Sequence, residues 1–312
     1  MVKKVIVPKG FPEVGQKILT DAGLEVVEAI SIPDALTKAP DAQGILAGTT
    51  TFKNDDIAKF ENLKIIARSG VGYNNIDVDF AASRGIWVTI TPNANASTVA
   101  ETTLADILAV SKNIFNDSMA MRKGDHKYPR NHPGFDLANK TLGIIGFGRI
   151  GQMLAKKASQ LDMRIIYNNR TKKANDYATY VEREELIKQS DIICLTLAVT
   201  PQTERSFGQR EFEMMKSSAY LINTARGQLV DPNAMLHALQ SKQIAGAALD
   251  VFDDEPLPLD SPLYQLDNVL LTPHIAANTV ESMTRMITGA AGELVTTLVD
   301  NKQPQWPVNQ VK

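Results

Sequence analysis

Thr141-Leu-Gly-Ile-Ile-Gly-Phe-Gly-Arg-Ile-Gly151 is an apolar strand that runs straight into a glycine-rich turn. Gly146, Gly148 and Gly151 make the pattern G-x-G-x-x-G. The first glycine permits a tight turn, the second lets backbone approach a pyrophosphate, and the third lets the following helix pack on the strand. That helix starts at once, with Ile150, Met153, Leu154, Ala158 and Leu161 on one face at helical spacing. Its free N–H groups and its dipole point at the phosphates. A second strand, Arg164-Ile-Ile-Tyr-Asn168, follows. Alone, such a glycine pattern is often a chance loop. Within a strand–helix–strand unit of about 30 residues it reads as a dinucleotide site. About 140 residues precede the unit, enough for a separate domain that holds a substrate.

Bulk properties agree with that reading. The chain has 312 residues, suited to two domains of ordinary size. Its net charge of -2 gives no electrostatic reason to expect nucleic acid or an anionic membrane surface as partner. There is no apolar run of about 18 residues to span a bilayer. The start, Met-Val-Lys-Lys-Val-Ile-Val-Pro, reads as a first strand and not as a signal peptide, so a cytoplasmic protein is expected. Cys194, the single cysteine, lies in the apolar run Ile192-Ile-Cys-Leu195 and is expected to be a buried thiol.

The organisation is α/β throughout. Lys4–Val7, Leu24–Val27, Gly44–Ala47, Leu63–Ala67 and Ile86–Thr89 read as strands, with helical patterns such as Val14–Ala22 and Asp55–Phe60 between them. That alternation implies a parallel sheet covered on both faces. A long helical pattern runs from Ser97 to about Arg122, and a polar, proline-containing stretch, Lys123–Pro133, leads into the nucleotide unit. Further strands at Asp191–Leu195, Ala219–Asn223, Gly246–Asp250 and Val269–Thr272 complete a second doubly wound sheet. Thr279–Val299 is helical again. No repeat of solenoid length and no low-complexity segment is visible.

Ligands of open parallel sheets bind at the carboxyl ends of the strands. Three reactive side chains stand just past such ends: Arg226 after the strand ending Asn223-Thr-Ala225, Glu255 within Asp253-Asp-Glu-Pro256, and His274 after Thr272-Pro. Taken singly, each has an ordinary structural role open to it: a loop cation, a solvated acidic run, one histidine among four. His126, His132 and His237 lie in the polar connection and on a helix. Convergence is what singles the three out. A guanidinium can polarise a carbonyl and hold a carboxylate. An imidazole can deliver a proton to the developing alkoxide, and a carboxylate can orient it. The set suits chemistry on a 2-oxo acid.

The chain resembles the D-isomer-specific 2-hydroxyacid dehydrogenases over nearly its whole length. The likeness rests on Ala67-Arg-Ser-Gly-Val-Gly-Tyr-Asn-Asn-Ile-Asp77, Ser97-Thr-Val-Ala-Glu101, the glycine turn, Leu221-Ile-Asn-Thr-Ala-Arg-Gly-Gln-Leu-Val-Asp231, Ala248-Leu-Asp-Val-Phe252 and Thr272-Pro-His274. The resemblance implies two doubly wound domains: a flavodoxin-like substrate domain of residues 1–98 plus 282–312, and a Rossmann NAD(P)-binding domain of residues 99–281. It implies that His274 is the acid/base, Glu255 its partner and Arg226 the arginine that binds substrate. Backbone N–H groups around Val71 and Gly72 would grip the substrate carboxylate. Asp250 would contact the nicotinamide carboxamide, Thr98 would lie near the cofactor, and Arg149 and Ile150 would bind the pyrophosphate. Leu197 and Ala198 stand where the family has Val-Pro beside the ribose, with Thr203 following, and Thr224 and Ala225 complete the cofactor contacts. Leu-Ala is a departure that backbone contacts should survive. The last helix, from about Glu281, would pack on the N-terminal domain, and the usual state of the family is a homodimer.

NAD-preferring members end the second strand of the nucleotide unit on an acid. Here the turn reads Asn168-Asn169-Arg170-Thr171-Lys172-Lys173, with no carboxylate between Asp162 and Asp176. Asn169, Arg170 and Thr171 would receive a 2′-phosphate, so NADP(H) is favoured, with NAD(H) possible. Among similar enzymes, 3-phosphoglycerate dehydrogenases commonly carry an arginine after the third strand, where this chain has Gly48-Thr-Thr50. Formate dehydrogenases carry glutamine in place of Glu255. The expected substrate is therefore a small unphosphorylated 2-oxo acid of the glyoxylate, hydroxypyruvate or pyruvate type. The alternatives are a D-3-phosphoglycerate dehydrogenase and a nucleotide-sensing corepressor-like binding protein. The latter usually carry longer tails than this chain, which ends soon after its last helical pattern.

Overall fold

A computed structural model of the chain describes residues 2–311. The chain divides into two units, one made of the segment up to Asn95 together with that from Asn278 onward, the other of Ala96–Ala277. The divisions fall at the starts of two helices, slightly ahead of the expected positions 98/99 and 281/282.

The first unit alternates β1 (Lys4–Pro8), α1 (Glu13–Asp21), β2 (Glu25–Ala29), α2 (Ile32–Lys38), β3 (Gly44–Ala47), α3 (Asn54–Ala58), β4 (Ile65–Arg68), α4 (Val78–Ser83) and β5 (Trp87–Thr89). The sheet is parallel in the order β2-β1-β3-β4-β5, the flavodoxin-like arrangement. Its central strands are apolar in their middles because both faces are covered. Ile6, Ile45 and Ile66 pack with Phe60 and Ile86 on one face, while Val5, Leu46 and Ile65 pack with Leu19 on the other.

The second unit runs α5 (Ala96–Ser111), α6 (Ile114–Arg122), α7 (Tyr128–Asn131), β6 (Thr141–Ile145), α8 (Arg149–Ala158), β7 (Arg164–Asn168), β8 (Thr179–Tyr180), α9 (Arg183–Gln189), β9 (Ile192–Leu195), α10 (Gln209–Met214), β10 (Tyr220–Asn223), α11 (Pro232–Gln240), β11 (Gly246–Leu249) and β12 (Val269–Leu271). Its seven parallel strands are ordered β12-β11-β10-β9-β6-β7-β8. The order reverses between β6 and β9, and that reversal opens the crevice where such sheets take ligands. A nineteen-residue helix, α12 (Val280–Leu298), closes the first unit. Thr279 caps it, accepting the Ser282 N–H, and Ile287, Leu294 and Leu298 are buried with Val5 and Ile65.

Three details differ from expectation. The helical pattern from Ser97 to Arg122 is two helices, broken at Asn113, whose φ is 52°. Asparagine tolerates the left-handed region, so the break needs no glycine or proline to announce it. On α8 the buried residues are Gly151, Leu154, Ala155 and Ala158, whereas Met153 is 40% exposed. The short strand β8 extends the sheet past β7, fastened by Asn168 Nδ2 donating to Val181 O at 3.0 Å.

Candidate active site

The glycine turn is built as its residue types require. Gly146 has φ 92°, and a Cβ there would lie 2.8 Å from Leu197, at the end of β9. A Cβ on Gly151 would lie 2.5 Å from Gly146 O. Close approach at those two positions draws α8 onto β6 at the reversal of strand order. Gly148 is the N-cap of α8 and faces open space, which leaves room for an anion at the helix N-terminus. Arg149 is exposed and Ile150 half-buried at the first turn of the helix.

At the end of β7, Asn169 spans two loops. Its Oδ1 accepts from Phe147 N–H at 3.0 Å, and its Nδ2 donates to Thr171 O at 2.9 Å. The basic turn is thereby tied to the glycine turn. Arg170 and Thr171 are exposed, and Lys172 lies over the Tyr180 ring at 4.5 Å. The residues of the turn itself, Asn169 to Lys173, include no carboxylate. Across the crevice, Leu197 is half-buried and Ala198 exposed. Thr203 folds back on them, its hydroxyl donating to Ala198 O at 2.7 Å and accepting from Thr200 N–H at 2.7 Å.

The loops after β10, β11 and β12, adjacent strands, bring Arg226, Glu255 and His274 together. Asn223 locks the first loop: its Oδ1 accepts from Ala225 N–H at 3.1 Å and its Nδ2 donates to Arg226 O at 2.9 Å. Gly227 then passes so close to the next loop that a Cβ would sit 2.1 Å from the carbonyl carbon of Phe252. That contact sets Arg226 beside the loop that carries Glu255. His274 Nδ1 lies 2.6 Å from Glu255 Oε2, while Glu255 Oε1 accepts the Phe252 N–H at 3.1 Å. Burial would raise the Glu255 carboxyl, but the bonds from His274 and Phe252 and the nearby Arg226 charge outweigh it and hold it below the ordinary range. An ionised carboxylate only accepts, so the imidazole Nδ1 carries the hydrogen and Nε2 is left for the reacting atom. Burial lowers the Arg226 guanidinium against the attraction of Glu255. It remains charged throughout the working range of proteins.

Asp250, wholly buried, is the support of the histidine loop. Its Oδ1 accepts from Thr272 Oγ1 and from Ile275 N–H, both at 2.7 Å, and its Oδ2 accepts from Ala276 N–H at 2.8 Å. Its carbonyl takes the His274 N–H at 2.8 Å. His274 itself sits at φ 54°, a conformation that costs a β-carbon residue energy and persists where the surroundings over-determine it. Sequence reasoning expected of Asp250 a contact to the nicotinamide carboxamide and missed this bracing task. Thr224 and Thr98 are also buried, and Thr224 Oγ1 lies 2.7 Å from Thr103 Oγ1 on α5.

In the first unit, Val71 and Gly72 lie in the loop after β4. Arg68 draws the carbonyls of that loop inward, donating from Nε to Gly72 O at 3.0 Å and from a terminal nitrogen to Ser69 O. Among the described residues the N–H groups of Val71, Gly72 and Tyr73 donate to no partner, and Val71 is exposed. Successive free N–H groups of this kind form an anion-binding nest.

Residues 104–276 match the D-isomer specific 2-hydroxyacid dehydrogenase NAD binding domain. The chain is 39% identical over 317 residues to a glyoxylate reductase of Thermococcus litoralis, covering 95% of this chain and 93% of that one. It is 39% identical over 308 residues to a D-3-phosphoglycerate dehydrogenase of Methanocaldococcus jannaschii, covering 94% of this chain and 56% of the other. Among solved structures it is similar to an NADPH-dependent glyoxylate/hydroxypyruvate reductase of Sinorhizobium meliloti in complex with NADP and malonate, with a TM-score of 0.89, 27% identity, and coverage of 99% and 97% of the two chains.

Proposed function

The chain belongs to the D-isomer specific 2-hydroxyacid dehydrogenase family, oxidoreductases that use a nicotinamide cofactor to reduce 2-oxo acids, and we propose that it is an NADPH-preferring reductase of a small unphosphorylated 2-oxo acid such as glyoxylate, hydroxypyruvate or pyruvate. The observation that carries this reading is the 2.6 Å contact of His274 Nδ1 with Glu255 beside the half-buried Arg226. The cofactor supplies the hydride. Arg226 polarises the carbonyl and holds the substrate by its guanidinium fork, and a carboxylate is the kind of anion that the N–H groups of Val71 and Gly72 suit. His274 gives the proton on Nε2 to the alkoxide oxygen as the hydride reaches carbon, so the carbonyl gains one hydride and one proton. Glu255 keeps the imidazole oriented and stabilises its charged form.

The preference for NADPH rests on the turn after β7. A 2′-phosphate meets the exposed Arg170 there and no carboxylate, with Asn169 and Thr171 flanking it. Thr98, Gly146, Gly148, Arg149, Ile150, Gly151, Leu197, Ala198, Thr203, Thr224, Ala225 and Asp250 make up the rest of the proposed cofactor site. An unphosphorylated substrate is proposed because Gly48-Thr49-Thr50, after β3, offers no cation. The Methanocaldococcus relative favours a second reading, D-3-phosphoglycerate dehydrogenase. Homodimerisation is proposed from α6, which leaves Ile114, Phe115, Met119 and Met121 exposed on one helix. We also propose a cytoplasmic location, where the buried Cys194 thiol would stay reduced. The test is kcat/KM with NADPH and NADH across a panel of 2-oxo acids that includes 3-phosphohydroxypyruvate. The reading requires NADPH and an unphosphorylated acid to give the highest values, and a best rate with the phosphorylated acid would replace it with the second reading.

A further inference from the structure

Asp106, on α5, takes no part in the chemistry above. It is 5% exposed, and its Oδ2 meets no hydrogen-bond partner among the described residues. Its helix buries Ala100 and Ile107 in one apolar layer with Cys194, Ile222 and Ala248. Burial pushes the Cys194 thiol up, and the Asp106 charge adds to the effect. Burial, with the Asp250 carboxylate adding to it, lifts the Asp106 carboxyl to about 7. The other ionisable groups on the elements packed against α5 are Arg149, Lys156 and Lys157 on α8, of which Lys157 pairs with Glu101 at 2.9 Å, Asp117 and Arg122 on α6, and Tyr220 on β10.

The turn of α5 that carries Asp106 is fastened to the histidine loop. Residues three and four apart share a helix face, so Thr102 and Thr103 lie on the side of Asp106. Thr102 Oγ1 donates to Ala276 O at 3.0 Å, and Thr103 Oγ1 bonds Thr224 Oγ1 at 2.7 Å. Ala276 N–H in turn donates to Asp250 Oδ2. The face of α5 that carries Asp106 is thereby joined, through Thr102 and Ala276, to the segment that the Asp250 carboxylate holds.

We propose that Asp106 is a positioning residue for the catalytic loop: as a neutral acid it leaves the Asp250 carboxylate its grip on Ile275 and Ala276, and on losing its proton it sets a second negative charge against that carboxylate and loosens the seat of His274. This rests on the role of His274 given above. It builds a control near neutral pH into the fold, separate from the proton that His274 passes to the substrate.

Amide hydrogen exchange reads the brace without requiring activity. In the parent chain, the protection of Ile275 and Ala276, corrected for intrinsic exchange, should fall on the order of tenfold between about pH 6 and about pH 8. Asp106→Asn and Asp106→Leu, which carry no charge at any pH, should hold it constant. Turnover at saturating substrates should then fall through about pH 7 in the parent to a greater extent than in either variant. Stability gives a second signature. The folded carboxyl keeps its proton longer than the unfolded one, so the parent loses stability as pH rises from the ordinary value of 3.8 to about 7, and no more beyond. The melting difference between variant and parent should widen over that window, which identifies Asp106 as the titrating group, while the positioning role itself is read from the exchange and turnover profiles. Unchanged protection in the parent overturns the proposal, even where a variant fails to fold. A parent that loses protection while its turnover profile matches that of the variants overturns the link to His274. An inactive parent with the expected exchange would refute the proposed function alone.

Discussion

Asp250→Asn is the substitution whose effect follows most directly from the structure. The carboxylate accepts three bonds, two on Oδ1 from Thr272 and Ile275 and one on Oδ2 from Ala276. An amide has one acceptor oxygen and two donor hydrogens. Placing that oxygen at Oδ1 keeps the first two bonds and turns an N–H group towards the Ala276 N–H. The change loses a charge-assisted bond worth about 1.5–3 kcal/mol and strands a buried donor at a further cost of about 1–3 kcal/mol. Removing the charge beside Asp106 and relaxing the loop recover part of this, leaving a net loss of about 2–4 kcal/mol. For a domain of this size that is a fall in melting temperature of about 4–16 °C. His274 sits at φ 54° under the same brace, so kcat should drop at least about tenfold as the imidazole loses its place. Calorimetry and saturating kinetics on the same preparation give both numbers. If Asp250 served the cofactor alone, KM for the cofactor would rise while melting and kcat stayed at the parent values. That pattern would refute the bracing role.

Glu255→Gln should weaken the imidazole pair and leave the fold largely intact, since both side chains are partly exposed. The folded carboxyl is lowered, so its contribution is present above the ordinary value of 4.5 and is lost as pH falls through the lower folded value. The melting difference between parent and variant should therefore shrink on acidification from about pH 5 to about pH 3, and a difference that stayed constant would count against the pair. Arg170→Ala should raise KM for NADPH by roughly 10- to 150-fold with little change in kcat, because a remote contact binds ground and transition states alike. Asn169→Asp should shift kcat/KM towards NADH by adding an acceptor and a repulsion against phosphate. Comparison of both cofactors in each variant checks the pair of substitutions, and equal losses with NADH and NADPH would remove Arg170 from the phosphate site.

What could be read in the sequence was whatever is periodic or local. Strands buried on both faces, such as Ile192–Leu195 and Gly246–Leu249, are unbroken apolar runs, and the glycine turn shows itself by residue type. The triad was found because each member follows such a strand closely. What depends on distant segments was hidden. Asp250 looks like any acid at a strand end until the chain returns with Thr272, Ile275 and Ala276. Asn113 breaks a helix without glycine or proline, and β8 is two residues long, too short for a period to appear. Asp106 is one of several polar residues in the helix Ala96–Ser111, and only its burial shows that it faces inward. The Asn223 side-chain bonds were legible in principle, since an asparagine that starts a turn commonly bonds the backbone two residues on.

The central claim is that His274 delivers the proton while reduced cofactor gives hydride to a 2-oxo acid. It is tested most directly by following NADPH oxidation with glyoxylate in the parent and in His274→Ala, with cofactor affinity measured separately by fluorescence. The account predicts turnover by the parent, a fall in kcat of about 10²–10⁴ in the variant, and cofactor binding within a small factor of the parent. Turnover in His274→Ala within a few-fold of the parent would contradict it.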